Sequence, residues 1–256
     1  MMTFGLALLL AIIQGLTEFL PVSSKAHLSL MQIFSGSFTE PPVLFDVWLH
    51  LATLVAVLVF YRKKLKDYFR PDNFKALIAA TILTGIVGLA LKPFAERAFG
   101  SLTITGVLLF CTGLYMFITQ RLWPAAHKPL DLKRAGLIGL IQGFCVFPGL
   151  SRSGWTICTG VNLGLEPGRA AEFSFILSVP TIAMANALEF WQHRKELGAM
   201  HWDVYAAAFI VAFVVGLATI AVFTRLIVRR HLTPFAVYCM VLGAAVLAYY
   251  AGRTLS

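Results

Sequence analysis

Two polar, glycine-bearing stretches interrupt a chain that is otherwise apolar, and any fold has to house both. They are Gln14-Gly-Leu-Thr-Glu-Phe-Leu-Pro-Val-Ser-Ser-Lys-Ala-His27 and Pro148-Gly-Leu-Ser-Arg-Ser-Gly-Trp-Thr156. Of the 256 residues, 59% are hydrophobic and only 13% charged, with a mean hydropathy of +0.80. A soluble domain carries about twice that charge, so the class expected is an all-α polytopic membrane protein. Arg152 in the second stretch is expected at membrane depth, where a guanidinium is costly unless paired or hydrated. Irregular backbone there must be enclosed by protein or line a watery cavity, since lipid cannot satisfy its amides and carbonyls. The two stretches are therefore expected to meet in one anion-handling site.

Six apolar runs read as full spans, for which about 20 residues are needed: Phe45–Tyr61, Ala76–Leu91, Thr103–Gln120, Ala171–Trp191, Val204–Thr224 and Phe235–Ala251. The apolar arms beside the polar stretches are too short to cross. Residues 3–13 and Leu28–Phe34 flank the first, and Ala135–Phe147 and Ile157–Leu165 flank the second. Each set reads as a re-entrant helix hairpin. The Gly36–Pro42 segment closes the first, Glu166-Pro167-Gly168 breaks the chain after the second, and Asp131 is an expected helix N-cap.

An offset of 128, half the length, places Gln14 on Gln142, Gly15 on Gly143, Phe19 on Phe147, Ser23 on Ser151 and Phe45 on Phe173. The expectation is a single membrane domain, 1–256, built from pseudo-repeats of about 1–120 and 129–256. Three spans separate the hairpins, and an odd number makes them enter from opposite faces. That is an inverted-topology repeat, in which broken helices set a site near the midplane with helix N-termini aimed at an anion.

Loop charge orients the chain. Arg62, Lys63, Lys64, Lys66, Arg70 and Lys75 follow the first span; Arg121, Lys128, Lys133 and Arg134 follow the third; Arg225, Arg229 and Arg230 follow the fifth. The opposite side carries Lys92, Arg97, Arg194, Lys195 and Arg253. The positive-inside rule puts the first group in the cytoplasm, and both termini and the first hairpin outside. A net charge of +9 concentrated in short loops suits this topology and not nucleic-acid binding. Four cysteines, all within apolar runs, form no metal-ligand pattern.

Arg152 reads either as a snorkelling side chain or as a clamp whose guanidinium fork meets two anion oxygens. Ser151, Ser153 and Thr156 add hydroxyls, and Gly149 and Gly154 permit close backbone approach. Glu18 is either a functional intramembrane carboxylate or the counter-charge of Arg152. Gln14, one helical turn before it, shares its face, and the pair suits a water or one divalent cation, the metal set here being Glu18 and Gln14. Ser23 and Ser24 are nucleophile candidates with His27 close by, or else helix caps. Lys25 is a phosphate contact or an interfacial charge. Asp46 and Glu172 are helix N-terminal acids or site members. The other histidines (His50, His127, His193, His201, His231) fall mostly near expected helix ends, in solvated or structural roles.

The two motifs resemble the paired signatures of undecaprenyl pyrophosphate phosphatases of the bacitracin-resistance type, membrane enzymes that recycle the cell-wall lipid carrier. Phe45-Asp-Val-Trp-Leu-His-Leu-Ala-Thr53 and Ala171-Glu-Phe-Ser-Phe-Ile-Leu-Ser-Val-Pro180 are similar to that family as well. Gln14 stands where the family often has Glu, Lys25 where it has Ser or Thr, Ala26 where it has Gly, and Trp155 where it has a small residue. The resemblance implies hydrolysis of C55-diphosphate to C55-monophosphate and phosphate at the periplasmic or extracellular face of the bacterial inner membrane, supported by Mg2+ or Ca2+. It carries Glu18, Ser24, His27 and Arg152 over as the catalytic core; Ser23, Lys25, Ser151, Ser153, Gly154 and Thr156 are the residues expected around the phosphates. The partners implied are a prenyl diphosphate lipid and membrane lipids, with a homodimer left open and no nucleic acid. The alternative reading is a secondary transporter or flippase of a phosphorylated prenyl lipid, which would use the same clamp without Ser24 and His27.

Overall fold

The computed structural model describes residues 3–27, 30, 43–99, 101–124, 128–195 and 201–254. Among them the regular elements are all helical: α1 (Phe4–Thr17), α2 (Val43–Phe60), a 3-10 turn (Leu65–Phe69), α3 (Pro71–Ala98), α4 (Leu102–Arg121), α5 (Leu132–Phe144), α6 (Arg152–Asn162), α7 (Pro167–His193), α8 (Trp202–Val228) and α9 (Thr233–Thr254). Helices α2, α3, α4, α7, α8 and α9 are long and apolar enough to cross a membrane. The protein is an all-α, multi-pass membrane protein. Helix α1, of 14 residues, rises only about 21 Å, short of a hydrocarbon core roughly 30 Å thick. Helix α5, of 13 residues, is shorter still.

The boundaries correct the sequence reading in an instructive way. Gln14 lies inside α1, which runs to Thr17, so the first polar loop is reduced to residues 18–23. The second loop ends at Ser151, because Arg152 opens α6. Polarity had marked both segments as loop, but polar residues gather at helix ends because the terminal backbone groups need partners. Glu166-Pro167-Gly168 is a helix start rather than a break: Glu166 accepts from the Gly168 and Arg169 amides, and Pro167 occupies the first position of α7. Helix α3 continues through Pro93 to Ala98, beyond the expected end at Leu91. The returning arm Leu28–Phe34, apart from Leu30, the Gly36–Pro42 segment and His127 lie outside the described residues.

Helix α1 packs on α8 and α2, α5 on α3 and α6, α4 on α9, α2 on α7 and α8, and α6 on α4 and α7. Small residues let backbones approach where lipid supplies no hydrophobic drive. At the α3–α5 contact, Thr84 Oγ1 donates to the Gly139 carbonyl at 2.8 Å. A Cβ on Gly139 would stand 2.3 Å from the Ala80 carbonyl oxygen, and backbone cannot swing aside as a side chain can. Gly139→Val is expected to cost about 1–3 kcal/mol through overpacking, read as a fall in Tm in detergent. Gly85→Ala on α3, where an added Cβ meets nothing within 4 Å, should stay within about 0.5 kcal/mol of the parent.

The core that fixes the first tip is aromatic. Phe19 is 1% exposed and sits edge-on to Phe175 of α7 at 5.6 Å, and Phe175 in turn meets Phe223 of α8 at 6.3 Å. The residue directly after Glu18 thus anchors the turn to two spanning helices.

Candidate active site

Each tip is a helix end followed by a helix start. After α1, the chain turns through Phe19–Val22 and reaches Ser23, whose φ of 65° places it in the left-handed region. A helical turn over residues 24–27 follows. The Ser23 hydroxyl caps that turn by accepting from the Ala26 amide at 3.4 Å, and it also accepts from the Gly149 amide of the other tip at 3.2 Å. Gly149 has a φ of +97°, and a Cβ there would stand 2.6 Å from the Thr105 carbonyl oxygen, so the position admits only glycine. Ser151, offset from Ser23 by 128, caps α6 by accepting from the Gly154 amide at 3.2 Å. Ser153 Oγ donates to the Leu20 carbonyl at 3.2 Å, and Lys25 Nζ to the Val146 carbonyl at 3.2 Å. The two polar stretches therefore meet, tied by bonds that run in both directions.

The hydroxyls of Ser151, Ser153 and Thr156, read from sequence as donors to an anion, are engaged in caps and crossings, and of the two readings of Ser23, nucleophile or helix cap, the geometry is that of the cap. Thr156 Oγ1 donates to the Arg152 carbonyl at 2.7 Å and lies 2.5 Å from Ser174 Oγ. Trp155 stacks on Tyr115 at 4.4 Å and donates to Thr112 Oγ1 at 3.0 Å, which turns it toward α4. Ser24 and Arg152, the first residues of the two half-helices, come directly after the caps. The half-buried Ser24 hydroxyl has no partner among the described residues.

At the junction Arg152 Nη2 donates to Glu18 Oε1, with side-chain exposures of 16% and 7%. The snorkelling reading of Arg152 does not describe this geometry. Gln14 Nε2 donates to Glu18 Oε2 at 3.2 Å. Arg152 Nη1 is buried with no hydrogen-bond partner among the described residues. An orphaned guanidinium N–H beside a satisfied one is what an anion oxygen fits.

Two residues at the site went unrecognised in the sequence. His50, on the third turn of α2, stands with Nε2 3.8 Å from Glu18 Oε2, while its Nδ1 donates to the Asp46 carbonyl at 2.8 Å. It is not a helix-end histidine, and a titratable side chain mid-span in an apolar helix was the signal available. Tyr238 of α9 is the other. His27 donates from Nδ1 to the Ser23 carbonyl at 2.9 Å, so its Nε2, 2.6 Å from Tyr238 Oη, accepts the phenol proton. The two rings stack at 5.7 Å, which turns His27 toward α9.

Among the described residues no three His, Cys, Asp or Glu side chains cluster to hold an ion by themselves. The groups at hand are Glu18 Oε2, His50 Nε2 at 3.8 Å from it, and the side-chain amide of Gln14, whose nitrogen faces Glu18. Such a short set fits a hard divalent cation that completes its shell with phosphate oxygens and water.

Glu172 belongs elsewhere. It pairs with Arg169 and accepts from the Tyr68 hydroxyl at 3.2 Å, with Arg169 5.0 Å above the Tyr68 ring. Burial pushes the Tyr68 phenol well above its ordinary range, so it stays protonated and donating. Glu172 and Arg169 border a cavity of about 490 Å³ that Lys64, Glu166 and Tyr61 also line. From His50 to Tyr61 is roughly 16 Å along α2, so this cluster is remote from Glu18.

The family described as bacitracin resistance protein BacA matches residues 7–245. The chain is 38% identical to the undecaprenyl-diphosphatase of Syntrophotalea carbinolica, over 94% of this chain and 97% of that protein. It is 37% identical to the one from Methanobrevibacter smithii, over 94% and 95%, and 35% identical to the one from a Nocardioides species, over 98% of each. With a match of that extent and relatives aligned almost end to end, this chain belongs to the BacA bacitracin resistance family.

Proposed function

We propose that this chain hydrolyses undecaprenyl diphosphate to undecaprenyl phosphate and phosphate, recycling the lipid carrier for cell-wall polymer synthesis. The observation that carries the reading is the buried Arg152–Glu18 pair with its orphaned Arg152 Nη1. A buried guanidinium half-occupied by a carboxylate keeps a second donor pair for a phosphoryl group. It joins two motifs 134 residues apart in the chain.

The chemistry needs stabilisation of charge on the transferred phosphoryl, an attacking oxygen, and a proton for the departing one. Arg152, Lys25 and the amides at the starts of the two half-helices, Gly154 near them, meet the phosphoryl oxygens. Ser23, Ser151, Ser153 and Thr156 hold those amides in place. Ser24, with its uncommitted hydroxyl, attacks the terminal phosphorus as its proton passes to Glu18 and undecaprenyl phosphate departs; water then hydrolyses the phosphoserine, freeing phosphate and restoring Ser24. His27, whose neutral ring donates to the Ser23 carbonyl and accepts a hydrogen bond from Tyr238, serves the leaving prenyl phosphate as acid once Nε2 takes up a proton in place of that bond. A divalent cation such as Mg2+ or Ca2+ held by Glu18 and Gln14 would offset negative charge on the diphosphate.

The topological reading goes with it: two re-entrant hairpins in an inverted repeat, open to the periplasmic or extracellular side of the bacterial inner membrane. Supporting it, the offset of 128 carries α1 onto α5 and α8 onto α3, and the α1–α8 contact has its counterpart in α5–α3. His50 faces Glu18 from near the middle of α2, which supports a site at mid-membrane depth. An apolar groove of about 440 Å³ along α9, lined by Val237, Val241, Leu242 and Ala245, includes Tyr238. It supports entry of a lipid tail from the side.

Purified protein in detergent, given C55-diphosphate, should release one phosphate per substrate, lose that activity in chelator and recover it with Mg2+ or Ca2+. A carrier of phosphorylated lipid releases no phosphate, and that outcome would replace hydrolysis by transport.

A further inference from the structure

We infer that His50 is a nitrogen ligand of the divalent cation held by Glu18, which makes this an imidazole–carboxylate site rather than an all-oxygen one. The inference rests on the phosphatase reading above. Its ground is a local conflict of lone pairs. His50 Nδ1 lies 2.8 Å from the Asp46 carbonyl oxygen, which can only accept, so Nδ1 carries a proton. In the neutral tautomer Nε2 has a bare lone pair, and it lies 3.8 Å from Glu18 Oε2. That is too far for a hydrogen bond, and in this tautomer both atoms are acceptors.

A positive partner shared by the two removes the conflict. Arg152 does not supply it, since its Nη2 is committed to Oε1, the other oxygen of the carboxylate. Gln14 reaches Oε2 with its Nε2 from α1, so it lends an oxygen to a shared ion only with its side-chain amide turned over. Donors on adjacent corners of a small divalent ion stand roughly 3–3.5 Å apart, so a ring movement of a few tenths of an ångström suffices. The second ring nitrogen strengthens the case. Histidines that bind metals characteristically donate their other N–H to a backbone carbonyl or carboxylate, which fixes the tautomer and aims the lone pair. Asp46 does this for His50 from one helical turn away.

One imidazole and one carboxylate leave most of the coordination shell to phosphate oxygens and water. An imidazole also moves metal preference from Ca2+ and Mg2+ toward Mn2+ and later first-row ions.

The test uses tag-free full-length protein with Mn2+ and methylenediphosphonate, read by electron spin echo envelope modulation. A nitrogen modulation should appear, and its frequencies should change when histidine is labelled with 15N, a comparison that needs no variant to fold. It should vanish in His50→Gln, persist in His27→Gln, and be accompanied by about tenfold or weaker Mn2+ binding in His50→Gln. Absence of Mn2+ binding, Mn2+ bound without nitrogen modulation, or modulation that survives His50→Gln would each overturn the assignment. Phosphate release by the same preparation separates the two levels. A preparation that hydrolyses C55-diphosphate but shows no histidine nitrogen removes His50 alone, whereas one that hydrolyses nothing removes the phosphatase reading.

Discussion

Arg152→Ala is expected to slow phosphate release from C55-diphosphate by about 10²–10³-fold at saturating substrate. The guanidinium is the one charged fork at the junction of the two motifs, and its Nη1 has no competing partner among the described residues. A second consequence separates this from loss of a surface charge. Removing Arg152 leaves Glu18, whose side chain is 7% exposed, as a buried carboxylate without its main counter-charge. Breaking such a pair costs about 3–5 kcal/mol, so Tm should fall along with activity. Arg152→Lys distinguishes the two effects. An ammonium can still face Glu18 and recover much of the stability, but it has no planar fork to hold a phosphoryl group by two bonds, so the rate should stay low. Near-normal turnover in Arg152→Ala would take the arginine out of the chemistry.

Ser24→Ala should be as damaging to activity, about 10³-fold or more if its oxygen attacks phosphorus, yet nearly silent in stability. Ser24 occupies the first position after the Ser23 cap, and alanine is well tolerated there. Its hydroxyl bonds to nothing among the described residues, so its removal should shift stability by no more than about 0.5 kcal/mol. Ser23→Ala is the matched contrast. It removes an acceptor from both the Ala26 and Gly149 amides, and should cost about 1–2 kcal/mol as a lost cap. If Ser24→Ala kept its rate, a water in place of the serine would be the attacking group.

The meeting of Gln14, Glu18 and Arg152 was legible in the sequence because membrane physics leaves polar residues few places to go. Three residue types that lipid rejects, confined to two stretches, had to find each other. The six spans were legible for the same reason, by length and apolarity. Helix boundaries were less so. Gln14 and Thr17 look like loop by composition, yet they complete α1, since polar side chains suit a helix end enclosed by protein. The hydroxyls show a different limit. Composition marks Ser151, Ser153 and Thr156 as donors, but only the fold shows that caps and crossing bonds have already engaged them, and only the fold decides between cap and nucleophile for Ser23. His50 was passed over because a lone histidine in an apolar run is ambiguous. Its meaning comes from Glu18 on another helix, and no local pattern carries that contact. Tyr238, 211 residues from His27, was invisible for the same reason.

The claim on which the rest depends is that Glu18 and Arg152 act as one unit on one diphosphate. A double-mutant cycle in phosphate release, with Glu18→Gln, Arg152→Gln and the double variant, measures it most directly. Residues acting as a unit are strongly non-additive, so the double variant should be no slower than the slower single variant. Losses that multiply, or either single variant working at close to the parent rate, would contradict a shared site.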